Sequence, residues 1–191
     1  HYLHYQEDEV KQAFFQLLDE HTGTFDLFIL SFHGGVEYAT VASPEKIQFF
    51  DECLKHGVDI IWSHHPHVLQ PWHFDRDTEG GKLIIYSAGN FISGQTWFID
   101  ARKPDHPRTY TGDGAVFRVW IQDIEGAYKI HSVEPIPVTN YKDPKKGMVS
   151  RKLLAMPDDT AIPEVWQKYY KRRNTVISSH LADYSIRNIL P

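Results

Sequence analysis

Three histidines in four positions, His64, His65 and His67, follow the apolar run Val58-Asp59-Ile60-Ile61-Trp62. Imidazole is the commonest protein ligand for divalent transition metals, and it exchanges protons near neutral pH. Pro66 stiffens the spacing between two of them because its ring holds φ at about −65°. In an extended backbone His65 and His67 point to one side and His64 to the other. On that geometry His65 and His67 address one ion or two neighbouring ions, and His64 points away from them and is the weaker candidate. A second histidine, His33, also ends an apolar run, Phe28-Ile29-Leu30-Ser31-Phe32. The competing reading is a surface histidine cluster that binds nothing.

Two other polar residues stand at comparable places. Glu37, in His33-Gly34-Gly35-Val36-Glu37-Tyr38, puts a carboxylate near a histidine. It serves as a ligand, a partner to an imidazole or a substrate contact, or else as a solvated glutamate after a glycine turn. Asn90, in Gly89-Asn90-Phe91, can donate to a phosphate or carboxylate, and it also fits an ordinary turn. Other chemistries find little support. Ser87-Ala88-Gly89 is not a nucleophile elbow, no phosphate-binding glycine loop occurs, and Cys53 falls on an apolar helix stripe. The run Lys168 to Arg173 reads as a solvated basic helix end.

The elements that must hold these residues can be read from periodicity. Glu7 to Glu20 has helical spacing, with Val10, Phe14, Leu17 and Leu18 on one face. Phe25 to Phe32 and Val58 to Trp62 are continuous enough to be strands buried on both faces. Between them Ser43 caps a helix, Pro44 starts it, Ile47, Phe50, Cys53 and Leu54 form its stripe, and Gly57 ends it. A strand–helix–strand unit of this kind is parallel, and ligands collect beyond its carboxyl strand ends. His33 and the 64–67 cluster both lie there. Later segments read as a short strand in 68–74, a strand over 82–88, and an antiparallel hairpin of 115–121 with 130–138 around Glu125-Gly126. A helix is expected over 163–173.

With 191 residues, 41% hydrophobic and 24% charged, the chain has the composition of a globular domain with a substantial core. A net charge of −5 argues against nucleic acid as a partner. One cysteine excludes an intrachain disulfide. No apolar run reaches the roughly 18 residues of a membrane span. His1 stands where a methionine would begin a translated chain, so a leader or membrane anchor upstream is expected.

Four segments occur in register: His33-Gly34-Gly35-Val36-Glu37-Tyr38; Pro44 with Gln48; His64-His65-Pro66-His67-Val68-Leu69-Gln70-Pro71; and Ile85-Tyr86-Ser87-Ala88-Gly89-Asn90-Phe91. Together they resemble the CapA-type poly-γ-glutamate capsule synthesis proteins, a family similar to the calcineurin-like metallophosphoesterases. The resemblance covers about residues 20–135. It implies an α/β fold, the C-terminal part of a metallophosphoesterase-like sandwich, over residues 1–140, with a helical C-terminal extension over 141–191. It implies two divalent ions (Mn, Fe or Zn), with His33, His65 and His67 as ligands and His64, Asn90 and Glu37 in catalytic or substrate-facing roles. Gly34 stands where the family pattern has tryptophan. The family's Gly-Asp strand end, glutamate motif and Asn-Asn-His motif are absent.

The expected partners are therefore the missing N-terminal half of the same domain and an anionic phosphate ester or polymer. The expected location is the cell envelope. The expected function is that of a metal-dependent phosphoesterase in capsule polymer biosynthesis. The alternative is a non-catalytic module that binds the anionic polymer during envelope assembly.

Overall fold

Ser43 and Pro44 start the central helix as their types require. The Ser43 hydroxyl accepts from the Lys46 amide at 3.3 Å, and Pro44 occupies the first turn. The computed structural model describes residues 7–78, 80–96, 99–143 and 145–183. Its elements run α1 (Asp8–His21), β1 (Ile29–His33), α2 (Pro44–Lys55), β2 (Ile60–His64), β3 (Trp72–Asp75), β4 (Lys82–Ile85), β5 (Asp113–Ile124), β6 (Ala127–Asp143), β7 (Gly147–Lys152) and α3 (Glu164–Asp183). Short 3-10 turns lie at Pro107–Gly112 and Leu153–Ala155.

The fold is mixed α/β with two sheets. The first has the order β1-β2-β4-β3, in which β1, β2 and β4 are parallel and β3 is antiparallel. The second is the antiparallel order β5-β6-β7. Side chains of β2 and β4 alternate between two cores, as the period of two demands. Ile61, Ile84 and Tyr86 pack with Leu18, Phe49, Phe50 and Cys53 of α1 and α2. Ile60, Leu83 and Ile85 face the other way and join Ala115 and Ile130 of the second sheet and Tyr169, Tyr170 and Ile177 of α3.

Three expectations change. First, β1 and β2 are not buried on both faces, since Ile29 is 52% and Trp62 54% exposed. The second sheet covers β4 but leaves this part of the first sheet open, and a strand-like run of apolar residues does not report which face is covered. Second, the stripe of α2 is turned by one residue. Lys46, Phe49, Phe50 and Cys53 are the buried set, while Ile47 and Leu54 are half-buried. Third, the basic run of α3 is solvated only in part and does not end the helix. Lys168, Lys171 and Arg172 are exposed, but Tyr169, Tyr170 and Arg173 are buried, and the helix continues to Asp183. The residue pair 140/141 falls inside β6, and α3 shares a core with β2 and β4. Residues 184–191 of the expected extension lie outside the described residues. No described helix is long and apolar enough to cross a membrane.

Candidate metal centre

Parallel pairing of β1 with β2 sets His33 directly beside His64. The ladder runs one step further, with the Gly34 amide donating to the His64 carbonyl at 3.1 Å. The two imidazoles meet edge to face, Nδ1 to Nδ1 at 3.3 Å. On its other side His64 Nε2 lies 3.3 Å from the Ser31 hydroxyl. His64 therefore stands with His33.

Beyond His64 the chain is not extended. His65 has φ 102° and His67 φ 60°, both in the left-handed region. Such backbone costs about 1–3 kcal/mol per non-glycine residue and persists only where the surroundings over-determine it. Here it folds His65 back on His33, Nδ1 to Nε2 at 3.2 Å. It also gathers Glu37, His65 and His67, each of which offers a ligand atom within 4.8 Å of the others. Glu37 arrives because the Tyr38 amide donates to the Pro66 carbonyl at 2.8 Å, stitching its loop to the histidine loop. The trio spans half-buried imidazoles and an exposed carboxylate, an open mixed N/O donor set that suits Mn, Fe or Zn.

Asn90 settles the state of His67. Its Nδ2 donates to the Thr111 carbonyl at 2.8 Å, so its Oδ1 is the atom 3.0 Å from His67 Nδ1. An amide oxygen only accepts, so His67 Nδ1 carries the proton and Nε2 keeps a lone pair for a metal. Replacing Asn90 by alanine removes that control, and metal affinity is expected to fall about 10–100-fold. Calorimetric titration measures the fall, and histidine nitrogen shifts report the change of tautomer.

Electrostatics act in the same direction. Burial first, then neighbouring imidazoles and the Lys46 charge, hold His64 below the ordinary histidine range. Burial and His33 do the same for His65, partly offset by Glu37. Both are thus biased to the neutral form that binds metal. Lys46, pulled down by burial to about 8, is still mostly charged at neutral pH.

A buried frame holds Asn90 in turn. Its amide donates to the Asp113 carbonyl at 3.2 Å, and its carbonyl accepts from Asn140 Nδ2 at 3.1 Å. The Asp113 carboxylate receives Arg173 Nε and Nη2 at 2.9 and 2.6 Å. Gly114 permits this approach, because a Cβ there would stand 2.5 Å from the Asn90 carbonyl oxygen. At Gly34 a Cβ would stand 2.8 Å from Phe32 Cε1, so the tryptophan of the family pattern cannot be seated without moving that ring.

All six candidate residues thus lie at one edge of the first sheet, as two touching groups: Glu37, His65, His67 with Asn90, and His33 with His64. Sequence reasoning missed Ser31, Lys46, Asp113, Asn140 and Arg173. For Lys46 a signal existed, because it lies three, four and seven residues before Phe49, Phe50 and Cys53. For the others the partners are too distant in sequence to be read.

Residues 4–95 match the model of a family described as bacterial capsule synthesis protein PGA_cap. The capsule biosynthesis protein CapA of Bacillus anthracis is 33% identical over 156 residues, 78% of this chain and 33% of that protein. The chain belongs to the CapA-type capsule synthesis family. The PGA biosynthesis protein CapA of Bacillus subtilis (strain 168) is 33% identical over 86 residues, 45% of this chain and 22% of that protein. The chain spans about a third of the length of the Bacillus anthracis relative. The family match contains all six candidate residues and ends before β5, so the frame around Asn90 comes partly from outside it.

Proposed function

We propose that this CapA-type chain supplies one part of a metal-dependent hydrolase site that acts on a phosphate ester or related anionic bond in capsule polymer synthesis. The observation that carries the reading is the convergence of Glu37, His65 and His67, with His33 and His64 in contact, beyond the carboxyl ends of β1 and β2. Ligands collect at that edge in parallel sheets. Glu37, His65 and His67 would hold an ion, and His33 with His64 would serve a second. Bound divalent ions activate water and neutralise charge on a phosphoryl group. The chain's own work is to present neutral imidazoles, to keep the proton of His67 on Nδ1 through Asn90, and to hold His64 between Ser31 and His33.

The reading includes a partner. An apolar groove of about 690 Å³, lined by Ile29, Trp62, Phe91, Val116 and Ile121 among others, lies against the open face of β1 and β2. The outer edge of β1 has no strand beside it among the described residues. Open apolar faces of this kind mark interaction surfaces. The N-terminal half of a CapA-like domain is the occupant in this reading, and it also brings further metal ligands. The extra length of the CapA relative makes room for such a segment.

A second reading also has an observation behind it. The three-residue cluster of metal-capable side chains contains one carboxylate, the exposed Glu37. A centre short of acidic ligands suits a module that binds an anionic polymer without cleaving it. Hydrolysis of an aryl phosphate ester by the full-length protein with added Mn²⁺ separates the two. Turnover above a metal-free control supports the hydrolase. Polymer binding without turnover supports the module, and neither would overturn both.

A further inference from the structure

Beyond the effect of its charge on His64, the buried ammonium of Lys46 makes hydrogen bonds of its own beside the site. Lys46 is 1% exposed, and no carboxylate pairs with it among the described residues. Its Nζ donates to the Gly34 carbonyl at 3.1 Å and to the Tyr86 carbonyl at 2.8 Å. The rings of Phe32 and Phe50 stand 5.6 and 5.4 Å from it and shield it from water. Gly34 follows β1, and Tyr86 follows β4. Those strands share no ladder, because β2 lies between them. The ammonium therefore ties directly two strand ends that the backbone joins only through β2.

Both ends lead into the histidine site. Gly34 is bonded to His33 and opens the loop that carries Glu37. Tyr86 begins the turn that carries Asn90, the acceptor for His67. We propose that Lys46 is a positioning residue for the histidine site: its two charge-assisted hydrogen bonds clamp the His33–Glu37 loop to the Asn90 turn and so set the separation of the groups that converge between them. This rests on the metal reading above for its functional sense, but the clamp itself is a statement about the protein alone.

A charged lysine buried only for stability is an unfavourable choice, since removing an ammonium from water is costly and an apolar side chain of similar length packs as well. A clamp needs what an apolar chain lacks, namely donors that reach two carbonyls at once. Charge and clamp also predict opposite signs. A nearby positive charge repels a dication, so its loss alone tightens metal binding. Loss of a clamp loosens the ligand geometry and weakens binding.

The test compares Lys46→Met, which keeps the length and removes the donors, with Lys46→Gln, which keeps an amide donor. Two readouts are taken on the purified protein. In the metal-free state, exchange of the Gly34 and Tyr38 amides is expected to speed about tenfold or more in Lys46→Met while Ile61 in β2 keeps its protection. In titrations with Co²⁺, affinity is expected to fall at least about 10-fold in Lys46→Met, with an altered visible absorption of the bound ion, and to recover in part in Lys46→Gln. Unchanged local exchange, or Co²⁺ binding that is equal or tighter in folded Lys46→Met, overturns the proposal. Should Lys46→Met not fold, Lys46→Gln against the parent decides by the same criteria. Should the parent bind no Co²⁺, the metal reading fails separately and the exchange readout alone decides the clamp.

Discussion

Alanine at His65 or His67 is expected to abolish stoichiometric transition-metal binding while leaving the fold in place. Both side chains belong to the trio that includes Glu37, and both are half-buried at the sheet edge. Loss of an outer partner of a metal ligand costs about 10–100-fold in affinity, and loss of a ligand itself costs more. Neither side chain fills space in an apolar core, so the variants are expected to stay folded. His65→Gly sharpens the test. His65 sits at φ 102°, where glycine is unstrained and alanine is not. The glycine variant is expected to lose metal as fully as alanine does, yet to be as stable as the parent or more stable by about 1 kcal/mol. Metal analysis and thermal unfolding, run on the same samples, check both halves. Retained full-stoichiometry binding in His65→Ala and His67→Ala together would remove the basis for the site.

The second large effect is on stability and lies away from the metal ligands. Arg173→Met is expected to destabilise the protein by about 3–5 kcal/mol at neutral pH, the usual cost of leaving one member of a buried ion pair uncompensated. Arg173 and Asp113 are each 1% exposed at the side chain. Arg173 also donates to the Pro104 carbonyl and stacks on Tyr110, at 4.6 Å from the ring centroid. Burial pushes the Asp113 carboxyl up to about 6, against the pull of Arg173 and the hydrogen bonds from Arg173 and Thr139. A folded-state pKa above the unfolded value means that the stabilising contribution is complete in acid, below about 4, and is lost as pH rises through about 6. Without Arg173 the carboxyl moves higher still, so that loss continues above pH 6. The deficit of the variant is therefore expected to grow between pH 5 and pH 8. Denaturant unfolding at the two pH values measures it, and a deficit that is equal at both, or larger at pH 5, contradicts the account. Because Asp113 and Asn140 hold the backbone of Asn90, the same variant should also weaken metal binding.

Local chemistry made much of this fold legible. Ser43 and Pro44 marked the start of α2, Glu125-Gly126 marked the turn between β5 and β6, and the apolar runs ending at His33 and His64 marked two parallel strands. These signals act over a few residues, so they survive in a linear reading. The family was legible for the same reason, since its motifs are short and in order. The missed elements are the ones whose causes lie far away in sequence. Strand β7 and the length of α3 depend on packing against β6 and the core shared with β2 and β4. The exposure of Ile29 and Trp62 depends on how far the second sheet reaches.

The histidine cluster divides along the same line. Residue types and spacing alone determined that His33 and the His64–His67 run would end two neighbouring strands, which placed both groups at one sheet edge. Only the tertiary structure decided how they meet. Register put His33 against His64, so His64 is a contact of His33. Left-handed backbone at His65 and His67, where an extended strand was expected, turned their rings toward Glu37 and His33. Asn90 chose the tautomer of His67, and a lysine twelve positions beyond Gly34 tied the turns together. The physical reason is one of range: side-chain periodicity is set by neighbours along the chain, whereas ring orientation, proton position and ligand distance are set by atoms that only folding brings near.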